Sequence, residues 1–273
     1  MPEESIDAVR ARIDAARSLF VLTGAGMSAE SGIATFRDAI ASAPSAPAAQ
    51  FPRGERSALG RPGGGTGLWA RFDPAQLASE EGFRADPGTV WDWYAERRVA
   101  VRAAQPNAGH LALGAFERRR PGVLTLASQN VDDLHQRAGN TATIRLHGEL
   151  LADRWLDGCA RSPACSTQQA QPGRPPRCAD CGNLVRPAVV WFGELLPPAA
   201  IDAAERAAQG CDVALVVGTS GAVWPAAGLA ARARRAGAFV AIVNPHASEI
   251  DDQAHAVLRA TAAQALPRLL RHD

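Results

Sequence analysis

The stretch after the apolar run Leu19 to Leu22 has the residues to hold a phosphate. In Gly24-Ala25-Gly26-Met27-Ser28-Ala29-Glu30-Ser31-Gly32 the glycines permit a tight turn and close backbone approach, and the helix that follows would offer its first N–H groups to a pyrophosphate. Such a turn is also an ordinary strand-to-helix connection, so alone it leaves both readings open. A second chemistry needs a side chain that takes a proton near neutral pH, which is the province of histidine. His147 closes the short strand Ile144-Arg145-Leu146-His147 before Gly148, whereas His110 and His135 fall on helical patterns and His246, His255 and His272 lie late in the chain. Asn130 and Asp132 could hydrogen-bond a ligand or cap a helix beginning near Asp133. Tyr94 and Arg97, three apart on a helix, share a face and could address one ligand or simply pack there. Four cysteines cluster between 159 and 181. Cys178-x2-Cys181 has the spacing of a zinc knuckle, while Cys159-x5-Cys165 is wider than usual, so four-thiolate zinc and free or partly oxidised thiols both stay open. Cys211 precedes an apolar strand and reads as core.

The elements that must position these groups follow from periodicity. Short apolar runs at Leu19 to Leu22, Val123 to Ala127, Val213 to Val217 and Phe239 to Val243 alternate with helical segments at 90–104, 107–120 behind an Asn107 cap, 198–209, and 225–236 ending at Gly237. That alternation predicts a parallel α/β sheet. Thr219, Ser220 and Asn244 then follow strands at their carboxyl ends, where open α/β sheets bind ligands. Two stretches break the pattern. Residues 39–67, rich in Ala, Ser, Pro, Gly and Arg, read as a weakly ordered loop, and residues 156–183 read as a small metal module.

Composition narrows the classes. With 29 Lys plus Arg against 28 Asp plus Glu, no sequence-wide field recruits nucleic acid or an anionic membrane, and a single knuckle with patches such as Arg118-Arg119-Arg120 does not make a nucleic-acid reader. No apolar run is long enough to cross a bilayer, the amphipathic N-terminus lacks the apolar core of a signal peptide, and a thiol cluster in an unexported chain suits a reducing cytoplasm.

The continuation of the glycine loop is more specific. An ordinary dinucleotide fold would next supply a strand ending in an acid, but Thr35-Phe36-Arg37-Asp38 leads into the low-complexity loop instead. The run GAGMSAESGIATFR resembles the cofactor motif of the sirtuin family, and Gln129-Asn130-Val131-Asp132, His147-Gly148, Val190-Trp191-Phe192-Gly193-Glu194 and Gly218-Thr219-Ser220 follow in that family's order over nearly the whole chain. The chain departs from the family at Ala34, where proline is usual, and in the long loop after Asp38.

The resemblance implies a Rossmann-like NAD-binding domain, discontinuous over 1–38, 105–150 and 184–273, with a cofactor loop and helical part of a small domain at 39–104 and a zinc-binding module at 151–183. It implies removal of acyl groups from protein lysines with NAD, giving nicotinamide, O-acyl-ADP-ribose and free lysine. His147 would be the base, Asn130 would orient a ribose hydroxyl or water, and Asp132 would hold the nicotinamide carboxamide. Gly24, Ala25, Gly26, Ala29, Glu30, Thr35, Phe36, Arg37, Gln129, Gly218, Thr219, Ser220 and Asn244 would line the rest of the NAD site, and Cys159, Cys165, Cys178 and Cys181 would hold structural Zn2+. Val190 to Glu194 would pair with an acyl-lysine peptide as an added strand, with Trp191 and Phe192 along the acyl-lysine tunnel. Tyr94-x-x-Arg97, with the small Ala78, resembles the class that removes succinyl and malonyl groups, where phenol and guanidinium meet the distal carboxylate. The rivals are an NAD glycohydrolase or ADP-ribosyltransferase on the same cofactor site, and a noncatalytic NAD or ADP-ribose binding module.

Overall fold

The computed structural model describes residues 3–33, 77–158 and 165–271. The expectations placed on Ala34, Thr35, Phe36, Arg37, the loop at 39–66 and Cys159 lie outside these residues. In chain order the helices are α1 (Glu3–Ala15), α2 (Gly26–Ala29), α3 (Glu80–Ala85), α4 (Pro87–Ala103), α5 (Ala108–Arg119), α6 (Leu134–Arg137), α7 (Pro198–Gly210), α8 (Gly228–Arg235) and α9 (Ala262–Leu269). The strands are β1 (Leu19–Thr23), β2 (Leu124–Ser128), β3 (Thr143–Arg145), β4 (Gly148–Trp155), β5 (Val185–Val189), β6 (Val213–Val217), β7 (Phe239–Val243) and β8 (Ala256–Leu258).

A strand buried along its whole length must be covered on both faces, and β1 is apolar at Leu19, Phe20, Val21 and Leu22 for that reason. It pairs in parallel with β2 on one edge and β6 on the other, within a six-stranded sheet ordered β3-β2-β1-β6-β7-β8 whose pairings are all parallel. One face carries Ile6, Val9 and Ile13 of α1, Leu113 and Phe116 of α5, and Leu266 and Leu269 of α9. The other carries Ala204 and Ala208 of α7 and Leu229 and Ala233 of α8. Successive strand residues point to opposite faces, so Leu19 and Val21 join the first layer while Phe20 and Leu22 join the second.

The chain order reverses direction across the sheet at β1. Strand β2 lies on one side and β6 on the other, and it is outside the carboxyl ends of the strands at such a switch point that open α/β sheets bind ligands. The expected helices are present, α5 with its Asn107 cap in a capping box with His110 and α8 followed by Gly237 at φ 96°.

A third core is separate from these two layers. Leu77, Ala78, Phe83, Val90, Trp93, Tyr94 and Val101, from α3, α4 and the residues before them, pack on Leu150 of β4, Val189 of β5 and Trp191. Strands β4 and β5 are an antiparallel pair, Gly148 opposite Val189 and Trp155 opposite Val185. Leu150, Val189 and Trp191, which the boundaries drawn at 150 and 184 from the sequence grouped with the large unit, are thus part of this third core. The reason is pairing: β5 forms a two-stranded sheet with β4 and is not a strand of the six-stranded one.

Candidate functional site

The glycines of the first loop are there for backbone packing. A Cβ on Gly24 would stand 2.7 Å from the Thr219 Cβ, and one on Gly26 would stand 2.9 Å from the Gly218 Cα. Gly218 itself has φ 63°, and a Cβ there would meet the Met27 amide nitrogen at 2.4 Å. The β1 and β6 loops thus lock together at the switch point. Gly26 donates its N–H to the Gly218 carbonyl at 2.8 Å, Met27 to Gly24 and Ser28 to Ala25. These three amides are taken up internally, which corrects the expectation that the helix start offers them to a pyrophosphate.

Behind the loop stands a buried polar cluster. Ser28 donates to Asp132 Oδ2 at 2.8 Å and accepts from Asn130 Nδ2 at 2.9 Å. The other Asp132 oxygen accepts the Leu134 N–H, so the carboxylate also holds the first residue of α6. Burial raises the Asp132 pKa, and the donors from Leu134 and Ser28 partly offset that rise. The helix-start reading thus fits Asp132, whereas the Asn130 side chain goes to Ser28 rather than to an amide of α6. Ser28 was quoted with the loop in the sequence but given no role; a buried hydroxyl one turn past the glycines was its only signal.

His147 follows β3 and precedes Gly148, whose φ of 81° turns the chain into β4. Its Nδ1 lies 2.9 Å from the Gln129 carbonyl, and burial lowers the imidazole pKa. A carbonyl can only accept, so Nδ1 carries the proton and the neutral ring keeps a lone pair on Nε2. Gln129 also donates through Nε2 to Thr219 Oγ1 at 3.1 Å, which ties the histidine's support to the β6 loop. Asn244 donates through Nδ2 to the Thr219 carbonyl at 2.8 Å. Gln129, Asn130, Asp132, His147, Thr219 and Asn244 are thereby brought to one end of the sheet.

In the small unit, Tyr94 is buried, and its phenol oxygen accepts the Trp191 Nε1–H at 2.8 Å. Burial pushes the phenol up to about 12. The Arg97 guanidinium lies over the Trp93 ring, 4.8 Å from its centroid, and burial lowers its pKa while the nearby Tyr94 opposes that. Ala78 is buried in the same core. Trp191 is buried too, but Phe192 is 50% exposed.

Glu194 has a different place from the expected peptide contact. It accepts the Trp191 N–H at 2.8 Å, the guanidinium of fully buried Arg186 at 2.5 Å and that of Arg154 at 2.9 Å, so it fastens this segment to β4 and β5. Arg186 had not been singled out in the sequence, since an Arg inside an apolar strand is recognisable as a buried partner only once Glu194 is placed beside it. Val190 N–H goes to the His147 carbonyl, Phe192 N–H to Ala78 and Glu194 N–H to Trp191. Most of the amides from Val190 to Glu194 are thus already engaged, which restricts strand addition to Gly193 and the carbonyls.

Of the cysteine cluster, Cys165, Cys178 and Cys181 are described. The Sγ atoms of Cys165 and Cys178 are 3.4 Å apart, and backbone N–H groups of Cys181 and Asp180, then the Cys165 thiol, bring the Cys178 thiol down to about 7. Trp155, at the end of β4, donates its Nε1–H to the Cys165 carbonyl at 3.0 Å. No group of three or more metal-binding side chains is assembled among the described residues. Cys211 is half-buried and its thiol is pushed up to about 11 by burial, as ordinary core would be.

The doubly covered parallel sheet, its polar crevice and the small unit beside it define a two-part α/β protein with a nucleotide-type site. Residues 63–225 match the model of the Sir2 family. A Ralstonia nicotianae protein named NAD-dependent protein deacylase is 50% identical over 261 residues, covering 96% of this chain and 94% of its own. A protein of the same name from Methylococcus capsulatus is 45% identical over 274 residues, covering 98% and 97%. Among solved structures, a Sir2 homologue in complex with NAD superposes with a TM-score of 0.77 at 38% identity, covering 97% of this chain and 93% of that one. Sir2Tm bound to a propionylated peptide does so with a TM-score of 0.74 at 25% identity, covering 97% and 96%. The chain belongs to the Sir2 family. No described helix is long and apolar enough to cross a membrane.

Proposed function

We propose that this chain removes acyl groups from protein lysines at the expense of NAD, with succinyl and malonyl preferred and acetyl also accepted. The observation that carries the catalytic part is the His147 Nδ1 contact with the Gln129 carbonyl, which leaves a neutral Nε2 able to accept a proton. The crevice suits NAD chemically, because Ser28, Asn130, Asp132, Thr219 and Asn244 are buried polar groups gathered at the carboxyl ends of β1, β2, β6 and β7, where ribose hydroxyls and a carboxamide would find partners. When bound, NAD supplies the ribose carbon that the acyl oxygen attacks and the nicotinamide that leaves.

The protein's own groups do the rest. His147 Nε2 takes the proton of a ribose hydroxyl, Asn130 orients that hydroxyl or a water, and Asp132 accepts the carboxamide N–H. Ser28 holds Asn130 and Asp132 at fixed separation. Gln129, Gly218, Thr219, Ser220 and Asn244 would carry the ribose and adenosine side. An extended acyl-lysine peptide would add at Gly193, and Tyr94 with Arg97 would receive an acyl carboxylate, which needs fixed donors once it leaves water.

We further assign a large α/β unit and a small unit built on the third core, with Cys165, Cys178 and Cys181 joined by Cys159 around structural zinc in the small one. What supports this is the pair Cys165 and Cys178, two sulfurs 3.4 Å apart, of the donor type a thiophilic ion requires. A cytoplasmic setting suits reduced zinc-binding thiols.

The test is nicotinamide release by purified protein with NAD and one peptide carrying succinyl-, malonyl-, acetyl- or unmodified lysine. Release should require the acyl group, and in His147→Ala the formation of free lysine should vanish while that variant still binds NAD. Release that ignores the peptide would make the chain a glycohydrolase instead.

A further inference from the structure

The hydrogen bond from Trp191 to Tyr94 has a consequence for acyl choice. A phenol oxygen both donates and accepts, so a lone tyrosine in an acyl pocket does not by itself favour a carboxylate over a neutral group. Here the Tyr94 oxygen already accepts the Trp191 Nε1–H at 2.8 Å, and what the phenol has left to give is its own proton. A hydroxyl that accepts one hydrogen bond also becomes a better donor of the next.

The indole is held firmly enough to impose this. Trp191 is 2% exposed and packs on Phe83, ring centroids 5.2 Å apart, while its backbone N–H is fixed by Glu194. The guanidinium of Arg186 lies over its ring at 3.1 Å from the centroid, and Arg186 is itself fixed by Glu194 and by the Val189 carbonyl at 2.7 Å. A cation over the indole face withdraws electron density from the ring and strengthens its N–H as a donor. The influence of this group reaches the phenol, since Trp191 and the charges of Arg97 and Arg186 all favour its ionised form against burial.

We propose that Trp191 is a positioning residue for acyl specificity: its Nε1–H fixes the Tyr94 hydroxyl as a one-way donor toward an acyl carboxylate, with Arg186 and Glu194 holding the indole in place. Trp191 then acts through Tyr94 rather than as a wall of the tunnel. This rests on the acidic-acyl reading above and adds to the Tyr94 and Arg97 pair the group that orients it.

The experiment compares kcat/KM for succinyl-lysine and acetyl-lysine forms of one peptide in the full chain and in Trp191→Phe, which keeps an aromatic ring beside Arg186 and removes the N–H donor together with part of the indole. The succinyl-to-acetyl ratio should fall about tenfold, the loss expected for one misdirected hydrogen bond to a charge, and the fall should appear mainly in KM for the succinyl peptide. In a Tyr94→Phe background the same substitution should change the ratio no further. Equal loss of both activities, or additive effects in the double variant, would overturn the proposal. Should Trp191→Phe fail to fold, tryptophan side-chain NMR on the folded proteins decides: of the six tryptophans, one buried indole N–H should move upfield in Tyr94→Phe and respond to succinyl-lysine peptide but not to its acetyl counterpart. Absence of any such resonance would also overturn it. A wild type without succinyl preference sinks the acyl reading itself, whereas a preference that survives Trp191→Phe sinks this inference alone.

Discussion

Ser28 donates its hydroxyl proton to Asp132 across 2.8 Å, bridging the loop after β1 to the loop after β2. Burial raises the Asp132 pKa and the Ser28 bond works against that rise, so Ser28→Ala should raise it further. A carboxylate needed in its ionised form then becomes active only at higher pH. Loss of one charge-assisted hydrogen bond should lower kcat/KM by about tenfold to a hundredfold at neutral pH, and the acid limb of the pH profile should move upward. A reduced rate with an unmoved acid limb would show that Ser28 serves packing rather than Asp132.

The buried pair His110 and His135, ring centroids 4.8 Å apart, gives the fold a marked acid sensitivity. Burial depresses His110 to about 4, and burial with the neighbouring His110 depresses His135 to about 3. Because both folded values lie below the unfolded value near 6.5, the stabilisation from keeping the rings neutral is complete above about pH 6.5 and is lost progressively as pH falls toward 4 and then 3. Denaturant unfolding at pH 6.5 and 4.5 should therefore show a steep loss of stability, with each histidine contributing up to about tenfold in the unfolding constant per pH unit. His110→Gln should flatten that dependence, and an unchanged slope would contradict it.

For the cysteine cluster the expected outcome is about one zinc per chain in freshly reduced protein, with Cys178→Ser losing the metal and loosening the small unit around β4 and β5. Hydrogen exchange should then rise in residues 148–155 and 185–189 more than in β1 or β6. Metal-free protein with an unaltered exchange pattern would leave the thiols without a structural role.

Much of the fold is visible in the sequence because β1, β6 and β7 are covered on both faces and read as apolar runs, Val213–Val217 and Phe239–Val243 to the residue, while β2 shows the weaker pattern Leu124-Thr125-Leu126-Ala127. The β4 and β5 pair is not, since its burial is uneven, it contains Pro187, and its partners are 30 to 41 residues apart with a shift of register between Glu149 and Asp153. His147, Asn130 and Asp132 could be named from motif order, but Ser28 and Arg186 could not be given roles, because each is defined by a partner distant in sequence. Glu194 shows the converse: its place in a motif suggested a ligand contact, and its three donors, Arg186, Arg154 and the Trp191 amide, put it to structural use.

The central claim is that Tyr94 and Arg97 select acidic acyl groups, and the most direct measurement is the ratio of kcat/KM for succinyl-lysine to that for acetyl-lysine on one peptide, in wild type and in Arg97→Met. A carboxylate bound against Tyr94 and Arg97 would lose its hydration and depend on the Arg97 cation, whereas acetyl makes no such demand. The wild-type ratio should exceed one, and Arg97→Met should lower it by about thirtyfold or more, the equivalent of roughly 2 kcal/mol or above. A wild-type ratio at or below one, or equal loss of both activities in Arg97→Met, would contradict the claim and leave Arg97 as a packing residue of α4.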